Sequence, residues 1–204
     1  MKKLGKSVIK SLVFSAIFLI AGNLTASIPN TLKIEIEANQ KSIFVSFNNT
    51  GEGDILIQIK DDNDAILHTE EVSNQPVFAK KFNLKNLPAG VYYLEVSDEL
   101  TEVVQPLKIS VSNIEMDPTA RTKMYKPVFR FQNNRLDVDF LAINNNKITI
   151  SVFGAQNQLV FSEQFENAGK PFGKRFDMDK LEKGKYSIKI AAGNQTYYKT
   201  VEVK

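Results

Sequence analysis

The 204-residue chain reads as an all-β protein of two tandem sandwiches behind an N-terminal export segment, and three observations lead there. Short stretches alternating between apolar and polar residues recur every ~8–12 residues between turn residues, which is the pattern of sandwich strands. The chain matches itself at an offset of 93 residues, rising to 94 after one insertion. Beyond the first 26 residues no stretch offers a long face of helical period.

In chain order, Lys2, Lys3, Lys6 and Lys10 precede the apolar run Ser11 to Ala21 and the stretch Gly22-Asn-Leu-Thr-Ala26. A basic start, an apolar run of ~7–15 residues and a small residue at the cut specify a secretory signal peptide, here residues 1–26, with Ala21 as the alternative cut; a membrane span needs ~20 apolar residues. The mature chain is therefore expected to lack a transmembrane segment. There is no Cys, which excludes a lipoprotein anchor, disulfides, thiol catalysis and Cys-ligated metals. Removing residues 1–26 leaves 22 Lys and Arg against 23 Asp and Glu, so the +3 of the full chain becomes −1. A nucleic-acid partner finds no support in that charge.

Strands of the first half are predicted near 33–37, 42–47, 54–60, 65–72, 78–84, 91–97 and 103–111. Those of the second fall near 127–132, 135–141, 146–153, 158–165, 172–178, 185–191 and 196–203. Under the 93/94 offset Ile43-Phe-Val-Ser-Phe47 falls on Leu136-Asp-Val-Asp-Phe140, and Ile55-Leu-Ile-Gln-Ile59 on Ile148-Thr-Ile-Ser-Val152. Phe78, Phe82, Leu87, Gly90 and Tyr92 fall on Phe172, Phe176, Leu181, Gly184 and Tyr186. Seven strands per half imply two immunoglobulin- or fibronectin-like sandwiches, 33–113 and 127–204. The stretch 114–126, where Asp117-Pro118-Thr119 breaks the alternation, is the expected linker.

Both halves carry a Leu-x-x-Gly-x-Tyr turn, Leu87 to Tyr92 and Leu181 to Tyr186. Gly90 and Gly184 suit a positive φ, and Tyr92 and Tyr186 can bury their rings while the hydroxyl bonds upstream backbone, as in a tyrosine corner. These are expected to be structural turns without chemistry.

The second half resembles the C-terminal sorting domains of type IX secretion cargo. The likeness rests on Lys147 to Val160, then Phe176, Leu181 and Gly184-Lys-Tyr186, and the basic terminal strand Tyr198 to Lys204. The first half is a looser match. The resemblance implies export across the inner membrane, handling by the type IX machinery, and a cell-surface or secreted location, with the periplasm as fallback.

Candidate chemistry is sparse. Asp61-Asp62-Asn63-Asp64 offers oxygens for Ca²⁺, but its counterpart Gly154-Ala-Gln-Asn-Gln158 has no carboxylate, so a hairpin turn is expected. His68, the chain's one histidine, aligns with Phe161 and is read as a packing or rim position. The pairs Asp137/Asp139 and Asp177/Asp179 each share one strand face, whereas glycoside hydrolysis needs opposed carboxylates. No catalytic residue, metal or cofactor is expected; the alternative is a secreted hydrolase or metal-dependent enzyme.

Outward-facing Phe44, Val91 and Tyr93, whose counterparts are Asp137, Lys185 and Ser187, form the candidate contact surface for a protein or glycan ligand. Charge also divides: residues 33–113 hold 7 bases and 13 acids, residues 114–204 hold 15 and 10. Opposite fields of that size favour salt-dependent association. The sequence thus points to a non-enzymatic exported protein that acts by binding.

Overall fold

The computed structural model describes residues 31–37, 40–48, 53–73, 75–143, 147–166 and 170–204, so the signal peptide expected over 1–26 lies outside the described residues. The chain divides into two compact units with a boundary between Met124 and Tyr125.

The first unit holds β1 (Lys33–Glu37), β2 (Ser42–Asn48), β3 (Ile55–Asp61), β4 (Ile66–Val72), β5 (Val77–Asn83), β6 (Gly90–Ser97), β7 (Thr101–Ile109) and β8 (Ile114–Glu115). One sheet runs β1-β2-β5 and the other β4-β3-β6-β7-β8, with β9 (Thr122–Tyr125) also on β7. The second unit holds β10 (Val128–Gln132), β11 (Arg135–Phe140), β12 (Lys147–Phe153), β13 (Leu159–Glu166), β14 (Phe172–Asp177), β15 (Gly184–Ala192) and β16 (Gln195–Val203). Its sheets run β10-β11-β14 and β13-β12-β15-β16. Each unit is an antiparallel sandwich of the immunoglobulin/fibronectin kind, three strands on four in the second, with the four-stranded sheet extended by the short β8 and β9 in the first, and the strands lie within a few residues of their expected places.

The strict alternation of the central strands explains the packing, since every second side chain must leave water. Ile43, Val45 and Phe47 of β2 are buried against Ile55, Ile57 and Ile59 of β3 and Tyr92, Leu94 and Val96 of β6. Leu136, Val138 and Phe140, Ile148, Ile150 and Val152, and Tyr186, Ile188 and Ile190 hold the same places in the second core. Each such side chain contributes about 1.5–3 kcal/mol of transfer free energy. Even the irregularities match: pairing slips at Ile59/Lys60 and at Val152/Phe153.

Residues 114–126, expected as a linker, are more than a spacer. Ile114 is buried and pairs with Ile109, and Asp117 caps a single 3-10 turn over Pro118–Ala120. Fully buried Gln105 of β7 donates to the Asp117 carbonyl (2.9 Å) and accepts from Arg121 Nε (3.0 Å), while Arg121 Nη1 donates to the Leu32 carbonyl (3.2 Å). A buried amide with both ends satisfied adds stability instead of costing it. The stretch is thereby strapped along the first sandwich.

Candidate functional site

The Leu-x-x-Gly-x-Tyr turns form tyrosine corners in both units. Tyr92 donates its hydroxyl to the Pro88 carbonyl at 3.1 Å and Tyr186 to the Glu182 carbonyl at 2.8 Å, with both rings buried. Burial first, and then Glu182, raise the Tyr186 pKa, so its hydroxyl stays a neutral donor. The glycines differ. Gly184 has φ +151° with open space where a Cβ would stand. Gly90 lies outside the positive-φ region, and a Cβ there would rest 3.5 Å from the Tyr92 ring. The expectation of a positive φ at Gly90 is therefore corrected.

Phe44, Val91 and Tyr93 all point away from the core, but the structure does not bring them together. Phe44 is half-buried between Glu35 and Lys81 on the outer face of β1-β2-β5. Val91, 43% exposed, and half-buried Tyr93 lie on the outer face of the other sheet, beside Lys108 and between Lys60 and Pro106. β2 and β6 belong to opposite layers, so outward from one is the far side from the other.

The aspartate turn is a hairpin. Asp61 Oδ1 accepts the backbone N–H groups of Asn63 and Ala65 at 2.9 Å, and Asp64 takes φ 62°, matched by Asn157 at 60°. Among the described residues no group of three His, Asp or Glu side chains is placed to hold a metal ion. Asp137 and Asp139 share the outer face of β10-β11-β14, each with an arginine. Arg175 donates to Asp137 through two nitrogens at 2.5 and 2.7 Å, and Arg130 pairs with Asp139. The Arg175 hydrogen bond lowers the Asp137 pKa, whereas burial raises that of Asp139. Asp177 accepts the Asp179 N–H at 3.0 Å and so caps a turn.

Sequence reasoning missed one cluster at the open edge of the first sandwich. Pairing of His68 with Ile59, Glu70 with Ile57 and Lys80 with Val45 turns all three polar side chains inward. Glu70 accepts from Lys80 and lies 3.4 Å from His68 Nε2, and Lys80 lowers its pKa. The signal was present as polar residues at core-facing positions of edge strands, in Ile66–Val72 and Val77–Asn83.

The terminal strand β16 pairs with β15 along its whole length. Its outer face carries Thr196, Tyr198, Thr200 and Glu202, with Tyr198 65% exposed next to Lys189. At its end Asn134, held at φ 53° in the β10–β11 turn, accepts the Lys204 N–H (3.1 Å) and donates to the Lys204 carbonyl (3.2 Å). A side-chain amide thus fastens the end of one sheet to a turn of the other. No helix among the described residues is long and apolar enough to cross a membrane.

The family model described as secretion system C-terminal sorting domain matches residues 132–204. The resemblance of the second half to type IX sorting domains is borne out, and it marks the chain for export to the cell surface or medium. No curated protein matches the chain. Similar solved structures include the BSP domain of a biofilm associated protein, at 12% identity over 85% of this chain and 29% of that one, TM-score 0.28. Another is the FN1–FN3 segment of chicken CNTN1, at 8% identity over 84% and 66%, TM-score 0.31. A third is the two-domain fibronectin type III segment of chicken tenascin, at 7% identity over 86% and 98%, TM-score 0.28. The chain spans under a third of the first of these and just under two thirds of the second.

Proposed function

We propose that this is an exported, non-enzymatic protein of two sandwiches related by internal duplication. The second serves as the type IX sorting signal, and the first is the exported body, acting at the cell surface or in the envelope through protein or glycan contacts. The observation that carries the reading is the sorting-domain match over residues 132–204, which falls within one sandwich and leaves the other as cargo. Residues 1–26 are removed as a signal peptide in this reading, and the type IX machinery recognises the second sandwich.

Deleting residues 125–204, which spares the strap of the first sandwich, is expected to hold the remainder in the periplasm. Fractionation that still finds it at the surface or in the medium refutes the sorting role. Intact mass spectrometry of the protein from each fraction reads both processing ends. Against catalysis, three of the carboxylates that sequence offered as candidates are engaged: Asp61 in its own turn, Asp137 and Asp139 with arginines. Thermal melting with added Ca²⁺ or Zn²⁺ is expected to show no shift, and a shift would revive the metal-dependent alternative.

A further inference from the structure

The two sandwiches share their fold but differ where their sheets part. On this open side β4 faces β5 in the first and β13 faces β14 in the second. In the second, Phe161 closes the gap: it is 5% exposed, and its ring meets Phe176 edge-on at 5.7 Å between centroids. The matching pair in the first is His68 and Phe82, edge-on at 5.5 Å, but the His68 side chain is 44% exposed. Beside it opens a cleft of about 280 Å³, floored by Ile59, Phe82, Leu84 and Leu87, with His68 and Lys80 among its walls. Glu70, the next inward position on β4 after His68, ties Lys80 and His68 together.

We propose that this cleft binds one neutral sugar ring, either the exposed end of a glycan or a free monosaccharide. This deepens the binding reading given above and rests on it. Small-ligand pockets begin near ~300 Å³ and set a few polar groups around apolar walls; the cleft takes one ring. Its apolar, partly aromatic floor suits the C–H face of a pyranose. Its walls supply the Lys80 ammonium, which only donates, and the His68 imidazole, which does both, and Glu70, outside the lining, contacts the two of them. The two lysines of the lining are each neutralised by a carboxylate just outside it, Lys80 by Glu70 and Lys81 by Glu37, so the rim favours no ion. A hydroxyl accepts from Lys80 and leaves its pair with Glu70 intact. A carboxylate ligand must displace Glu70, and a cation must displace Lys80, each at the cost of a partly desolvated charge.

The test titrates the full chain, isotope-labelled for NMR, with the methyl glycosides of glucose, galactose, mannose and N-acetylglucosamine into the millimolar range. At least one is expected to shift the amides of Leu67, His68, Phe82 and Asn83 saturably. His68→Phe, which installs the plug the second sandwich already carries, is expected to abolish the shifts while keeping the exchange protection of β3 and β6 amides at or above the parent's. Glu70→Gln, which preserves shape, is expected to weaken binding about tenfold. The proposal is overturned if no glycoside moves these amides, if His68→Phe leaves the shifts unchanged, or if hexanoate or hexylamine binds there more tightly than every sugar. A glycan array separates this from the broader reading. Array binding that survives His68→Phe overturns the cleft but keeps a glycan surface elsewhere. Array binding lost in His68→Phe supports a glycan end, and a blank array with a saturable titration supports a free monosaccharide.

Discussion

Gly184 and Gly90 occupy matching turn positions under different constraints, and the same substitution separates them. At φ +151° Gly184 occupies backbone that L side chains rarely adopt, so Gly184→Ala is expected to cost about 1–3 kcal/mol. Gly90→Ala, whose new methyl meets the Tyr92 ring at ordinary contact distance, is expected to stay within about 0.5 kcal/mol of neutral. Two units in one chain unfold in more than one step, so hydrogen exchange of β6 and β15 amides is the measurement, each unit serving as reference for the other. Asp137 gives the residue-level pH dependence. Its folded pKa lies below the unfolded value because Arg175 bonds the ionised form. Its contribution is therefore complete above about pH 4 and is lost as pH falls through the folded pKa. Asp137→Asn is expected to weaken the second unit at neutral pH and to blunt its acid sensitivity, read from β11 and β14 exchange between about pH 6 and pH 2. Unchanged acid sensitivity would show that the Arg175 pair carries no linkage.

At the scale of strands, the edges of both sandwiches carry inward-pointing charge. Glu70 and Lys80 do so on β4 and β5, and Glu163 and Lys174 on β13 and β14; Lys199 does so on β16. A charge that must turn into the gap penalises edge-to-edge pairing with another chain. The double substitution Glu163→Val with Lys174→Val is expected to raise self-association, seen by light scattering. A protein that stays monodisperse would mean that these charges guard nothing. This device also marks the limit of sequence reading. Alternation located β4 and β5 and gave His68 as a packing or rim position, but it did not group His68 with Glu70 and Lys80, because which side faces the core is set by pairing with β3 and β2. Phe44 and Tyr93 were legible as outward, yet their separation was not, since sheet membership depends on which distant strands pair. The tyrosine corners were legible because donor and acceptor lie four residues apart. The Asn134 clasp on Lys204, spanning 70 residues, left no local trace.

For the whole molecule, the division of charge follows the division of the fold. With the boundary at Met124/Tyr125, residues 31–124 hold 9 bases and 15 acids and residues 125–204 hold 13 and 8, a net of −6 against +5. The amounts are those found with the boundary placed by sequence, so the contrast does not depend on where the strap is counted. Association between chains through these fields is expected to weaken as salt rises from about 50 to about 500 mM, over which screening shortens from roughly 14 to roughly 4 Å. Sedimentation coefficients that do not change over that range would remove the electrostatic account. The strap itself bears on how such a chain is assembled. Arg121 reaches the Leu32 carbonyl, so the point where the chain enters the first sandwich lies a single hydrogen bond from the strap by which it leaves. A domain with adjoining ends is a cassette: it can be placed in a longer chain, or repeated within one, without parting either of its sheets.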